Sequence, residues 1–225
     1  MHELRTWQLQ MLAEVGQRLR EFGFERGLKE QSFVKRASVG RLTFHLAFVK
    51  HKCDFDVTAD VAIRFDQVED LVNRYETHPL LRESDKANTH TLGCELGNLS
   101  EGRQRRWTVA SKSDTDSVAS SIVEAFAAVA LPYFEQFSQP ERALQILSGD
   151  GPDSWLHAPF HDNRAKLAVA MALQVHGKEA AKQLAKRKLA FLESRNEFGT
   201  DSFREFLRKL GLSAPSELPG CETVA

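Results

Sequence analysis

GRLTFHLAFVKHKCDFDVTADVAIRFDQVEDLVNRY, residues 40–75, carries two strand periods followed by a helix period, and its reading decides the fold. Leu42, Phe44, Leu46 and Phe48 share one parity, and Phe55, Val57, Val61, Ile63 and Phe65 share the other. An apolar period of two marks a strand with one buried face. Folding the chain back at His51-Lys52 sets Phe48 opposite Phe55, Leu46 opposite Val57 and Leu42 opposite Val61. All of these side chains then lie on one face, and a slip of one residue would expose a whole strand's set. Val68, Leu71, Val72 and Tyr75 then recur at helical spacing, with Asp66 placed to cap that helix.

Toward the N-terminus, Leu4, Trp7, Met11, Leu12, Val15, Leu19 and Phe22 predict an amphipathic helix over 3–22, closed by Gly23 in the position favoured for a left-handed C-terminal residue. A short strand is expected over 31–36. Beyond His78-Pro79 and a polar loop over 83–88, strands are expected over 89–96, with Gly93 as a bulge, and over 105–110, with a turn at 97–102 between them. Val118, Ile122, Val123, Phe126 and Val129 mark a long helix that Pro132 should kink or end. Ser138-Gln139-Pro140-Glu141 has the form of a capping box before a helix to about residue 147. GDGPDSWLHAPFH, residues 149–161, has the composition of a linker. Helices over 163–176 and 178–194, joined at Gly177, would form a helical hairpin. Phe203, Phe206, Leu207 and Leu210 mark one more helix.

The fold class expected is α+β: an antiparallel sheet of four to five strands packed by helices, followed by a C-terminal helical hairpin and one further helix. The domain organisation is 1–148 for the α+β part, 149–162 for a linker, 163–212 for the helical segment and 213–225 for a flexible tail.

The 225 residues contain 30 basic and 31 acidic side chains, so no field of one sign points to nucleic acid or an anionic membrane. Three cysteines, Cys53, Cys94 and Cys221, are widely spaced and include no CxxC, which argues against a disulfide framework or a structural zinc site. No apolar run is read as approaching the roughly 20 residues of a membrane helix. The expected location is the cytoplasm, without a signal peptide.

Candidate chemistry concentrates on the outer face of the hairpin, where Asp54, Asp56, Asp60 and Arg64 alternate along one strand, with His45 placed across from Thr58. Carboxylates two apart on a strand lie about 7 Å apart, too far to converge on a cation, so no metal and no cofactor are expected. His51 beside Cys53 lacks the orienting third group a nucleophile needs. Arg103, Arg105 and Arg106 precede Trp107; a buried Trp with arginines paired to acids is expected, rather than a phosphate grip. Lys178, Lys182, Lys186, Arg187 and Lys188 are read as the solvated face of a helix.

REFGF, CDFDVTADVAIRF, RRWTVAS and ALPYFEQFSQPERALQIL resemble a family of uncharacterised bacterial cytosolic proteins known only as a domain of unknown function. The resemblance covers residues 1–147 and rests on Gly23, Phe24, Arg64, Trp107, Pro132, Phe134 and Phe137. It implies an α+β bacterial protein without established chemistry. The function expected is that of a non-enzymatic protein-binding factor of immunity or adaptor type, with His45, Asp54, Asp56, Asp60 and Arg64 as its contact face. The alternative is a small-molecule enzyme with a pocket between the sheet and the C-terminal helices, using His45 with Asp56 or Asp60.

Overall fold

The computed structural model describes residues 2–27, 31–76 and 82–213. The break expected at His78-Pro79, Cys221 and the tail beyond Ser213 lie outside the described residues. Helix α1 (His2–Leu19) runs into a 3-10 turn (Arg20–Phe22), and Gly23 closes it at φ 78°, as the sequence predicts. Strands β1 (Glu25–Arg26), β2 (Ser32–Ala37), β3 (Gly40–Lys50) and β4 (Phe55–Phe65) follow. Then come helix α2 (Asp66–Tyr75), helix α3 (Glu83–Lys86), strand β5 (Leu92–Glu95), helix α4 (Leu96–Ser100) and strand β6 (Trp107–Val109).

The fold is α+β, with an antiparallel sheet in the order β1-β2-β3-β4-β5, and β6 paired with β4. β3 pairs with β4 along its full length. Two short strands share the opposite edge of β4: β6 against residues 55–57 and β5 against residues 60–63. The expected apolar face is the buried one, from Leu42, Phe44 and Leu46 to Phe55, Val57, Val61, Ile63 and Phe65. The register is shifted by two residues from the expected one. Phe48 faces Val57, Leu46 faces Ala59 and Leu42 faces Ile63, so His45 stands opposite Asp60 and not Thr58. The turn takes four residues, with the His51 N–H donating to Asp54 O at 3.0 Å.

Helices α5 (Asp114–Ala125) and α6 (Leu131–Phe137) are joined by a π turn (Phe126–Ala130), so Pro132 neither ends nor breaks the helix. Proline cannot donate to the preceding turn, and a locally wider turn accommodates it. The run Asp114–Phe137 is long and apolar enough by composition to cross a membrane, contrary to the sequence reading. Here its Ala119, Ile122, Phe126, Ala130, Phe134 and Phe137 belong to the core. The Phe126 ring sits 5.0–6.4 Å from those of Phe22, Phe24, Phe44 and Phe134, which ties α1, β3 and the two halves of the long helix together.

Three local expectations are not met. Asp66 does not cap α2; its carboxylate takes Arg64 and Arg36 instead. The box at Ser138 does not form, and the Ser138 hydroxyl is buried before helix α7 (Pro140–Ser148), whose N-cap is Gln139. Gly93 is no bulge: it pairs in register with Ala62, and a Cβ there would press on the His90 ring and Val61 O.

The segment read as a linker contains helix α8 (Pro152–His157), with Ser154, His157 and Ala158 buried and the Tyr133 hydroxyl 3.2 Å from His157 Nδ1. Helix α9 (His161–Ser194) is broken at Gly177 (φ 81°, ψ −175°). Arg164 and Lys188 both approach Asp150, and the His161 and Phe191 rings lie 5.3 Å apart, so the two halves run antiparallel as the expected hairpin. Helix α10 (Thr200–Lys209) completes the fold. Lys166 on α9 bonds Glu76 at 2.7 Å and Ser202 at 2.8 Å, and Phe206 meets Tyr75, which docks the C-terminal helices beside α2. Lys188 is not on a solvated face; it is 2% exposed.

Candidate functional site

The outer face of the sheet holds the polar residues singled out from the sequence, in an arrangement set by the pairing. Ser32, His45, Asp60 and Glu95 are successive partners across β2, β3, β4 and β5, a polar row straight across four strands. Ser32 Oγ and His45 Nδ1 are 2.9 Å apart. Glu95 caps α4, accepting from the N–H groups of Asn98 at 2.9 Å and Arg105 at 3.2 Å. Burial, with the neighbouring Glu95 charge, pushes the Asp60 carboxyl up to about 6.

That shift makes stability depend on pH. Between 3.8 and about 6 the folded state holds a proton that the unfolded chain has released, so this group's contribution falls as pH rises through that window. Asp60→Asn should remove that slope and stabilise the protein at pH 7 by about 1–2 kcal/mol, allowing for the water that still reaches the carboxylate. Urea unfolding at pH 4 and pH 7 checks it, and equal stability changes at both would refute it.

The other members of the expected face are engaged elsewhere. Asp56 accepts from Thr108 Oγ1 at 2.7 Å and lies 3.2 Å from His51 Nε2 and 3.5 Å from Arg106. These bonds, Thr108 first, hold its carboxyl below the ordinary value. Asp54 sits half-buried in the hairpin turn. Arg64 is buried and does not serve as surface: its guanidinium bonds Asp66, Asp70, Lys86 O and Thr89, locking α2 to the chain after α3. Contrary to the sequence reading, His51 does have a carboxylate partner, Asp56; Cys53 is exposed in the same turn, and burial pushes the Cys94 thiol up to about 12. Trp107 is buried, donating to Ser121 Oγ at 3.0 Å, while Arg103 and Arg105 pair with Glu101, as expected.

A second surface went unread in the sequence. Of six large apolar side chains that are exposed among the described residues, four lie at one end of the helical part: Trp155 and Leu156 on α8, Phe160 at 73%, and Phe198 at 100%. His161 joins them. Its ring lies 5.7 Å from Trp155, and its Nδ1 is 2.6 Å from Glu197, the neighbour of Phe198. The turn carrying Phe198 is built, not loose. Asn196 takes φ 51°, the Glu197 N–H donates to Leu192 O at 3.0 Å, and the Thr200 N–H donates to Glu197 O at 3.1 Å. Beside it opens a cavity of about 500 Å³ lined by Glu193, Asn196, Glu197, Phe198, Thr200, Asp201 and Arg204. A smaller cavity, of about 320 Å³, lies between α1 and β2.

Buried charge underlies this end. Lys188 Nζ bonds Asp150 at 2.6 Å and Gly149 O at 3.0 Å, and Arg164 bonds Gly149 O and Ala158 O. One half-buried carboxylate thus answers two cations that are 1–2% exposed, and Arg164 Nη2, 3.9 Å from it, has no hydrogen-bond partner. The pair fixes Gly149, Asp150 and Ala158, and through them both ends of α8.

No protein-family model, no curated protein and no solved structure matches the chain.

Proposed function

We propose that the protein is a non-enzymatic, cytosolic protein-binding factor of adaptor or immunity type, and that it binds through α8, residues 158–160 and the turn between α9 and α10. The observation that carries this reading is the gathering of Trp155, Leu156, Phe160 and Phe198 at one end. Single exposed apolar residues are ordinary, whereas a group of large ones rimmed by polar side chains marks an interaction surface. Aromatic residues are the usual anchors of such surfaces. Phe198, fully exposed on a hydrogen-bonded turn, contributes nothing to the core, and the turn presents its ring to solvent, which supports a role in binding. The sheet face supports the reading less, since Asp56 is already bonded and Arg64 is buried. The enzyme alternative has less support still. Asp56 is occupied, and neither cavity is lined by His45 or Asp60.

The double substitution Phe160→Ser/Phe198→Ser tests the surface. Because both rings are exposed, stability should change by less than about 0.5 kcal/mol. A stoichiometric protein that co-purifies with the tagged wild type from its host should be lost from the double variant. Retention of that protein unchanged would overturn this surface, and a co-purifying metabolite in its place would overturn the binding reading.

A further inference from the structure

Resting on that reading, we infer that the occupant of this surface is a segment of another protein that combines aliphatic side chains with lysine or arginine. The apolar half of the argument is the exposure of Trp155, Leu156, Phe160 and Phe198. The charged half is the cavity beside Phe198. Its ionic lining is three carboxylates, Glu193, Glu197 and Asp201, against one guanidinium, Arg204.

That guanidinium does not cancel the excess. Arg204 is already held between Glu193, at 2.8 Å, and Asp201, at 2.5 Å. Glu197 lies against His161 and Arg195, and these hydrogen bonds, His161 first, keep its carboxyl ionised below the ordinary value. Three carboxylates against the two guanidinium groups of Arg204 and Arg195 leave the cavity mouth with one net negative charge, His161 not counted, next to a bare phenyl ring. A lysine or arginine reaching into it gains charge-assisted hydrogen bonds to carboxylates that are fixed in place beforehand. The stem of that side chain lies along Phe198, as long basic side chains do on apolar surface. An acidic segment would meet like charge at the same point, so the site discriminates by repulsion as well as attraction. An amphipathic basic helix satisfies both halves, its apolar stripe on the aromatic groups and its cations over the cavity.

The test is selection of a displayed random peptide library on the full-length protein, followed by titration of synthetic, fluorescently labelled copies of the enriched peptides. Enriched peptides should combine basic with aliphatic residues and bind about tenfold more weakly to Phe198→Ser and to Glu193→Gln. Their affinity should fall as salt is raised. Enrichment of neutral or acidic peptides that Phe198→Ser weakens would overturn the basic occupant while leaving the surface a protein-binding one. Peptides indifferent to Phe198→Ser, Phe160→Ser and Trp155→Ala would overturn the occupant and the surface together. Sedimentation showing self-association that Phe198→Ser abolishes would assign the surface to a second copy of the chain, which also overturns the inference.

Discussion

Asp150→Asn should destabilise the protein by about 3–5 kcal/mol, because it leaves two buried cations without their carboxylate. Lys188 and Arg164 are 2% and 1% exposed, and Asp150 is the acid paired with both. Burial already lowers the Lys188 ammonium from the ordinary value, and the hydrogen bond it donates to Asp150 works against that shift. Without it the ammonium falls further and sheds its proton more readily. The unfolded chain then binds more protons than the folded one over a window ending near the free-lysine value of 10.5, so the variant's stability rises with pH there. Urea unfolding of Asp150→Asn at pH 7 and pH 9.5 reads both effects. Adding Lys188→Met should restore a large part of the loss at pH 7. A loss below about 1 kcal/mol, or one that Lys188→Met deepens, would show that solvent and not Asp150 compensates the cations.

Phe126→Ala should cost about 3–5 kcal/mol and lower the melting temperature by roughly 6–20 °C. Phe126 is fully buried, and its ring meets four other phenylalanines from three separate parts of the chain. Removing it forfeits the transfer of a phenyl group and the ring–ring contacts, and leaves a cavity that the π turn and β3 cannot both move to fill. Phe126→Leu retains most of the volume and should cost about 1–2 kcal/mol. Thermal unfolding by circular dichroism measures both. Equal losses would mean that shape at this position is not what holds the sheet to the long helix.

The strands were legible because alternation writes the buried face into the sequence, but the same alternation left their register open. A shift of two residues keeps every side chain on its face, so the pattern could not distinguish the expected pairing of Leu46 with Val57 from the real one with Ala59. The four-residue turn decided it, and His51-Lys52-Cys53-Asp54 has no Gly or Asn to announce its length. The expected cap at Asp66 failed because a stronger partner was near: Asp66 is an adequate N-cap by type, yet a buried arginine two residues before it takes its carboxylate. Lys188 is one lysine in a basic run by sequence, and only the return of the helical hairpin onto Asp150 sets it apart from exposed Lys186 and Arg187. The polar row on the sheet was partly visible in His45 and Asp60. Ser32 and Glu95 joined it through strand pairing, which no local pattern reveals. The aromatic end was hidden for another reason. Gly, Pro and Asp around Trp155 and Phe160 read as linker, and Phe198 is one residue whose exposure depends on a turn.

The arrangement of long strands inside short ones bears on how copies of the chain meet one another. β3 and β4 are eleven residues each and lie inside the sheet, flanked by strands of six, four and three residues, with a two-residue strand beyond. On the β2 side, the residues that extend past β1 include Lys35 and Arg36, whose charges oppose the approach of another strand. The sheet is thus poorly made for growing by strand addition, and the hydrophobic hairpin that organises the fold is fenced off from templating aggregation.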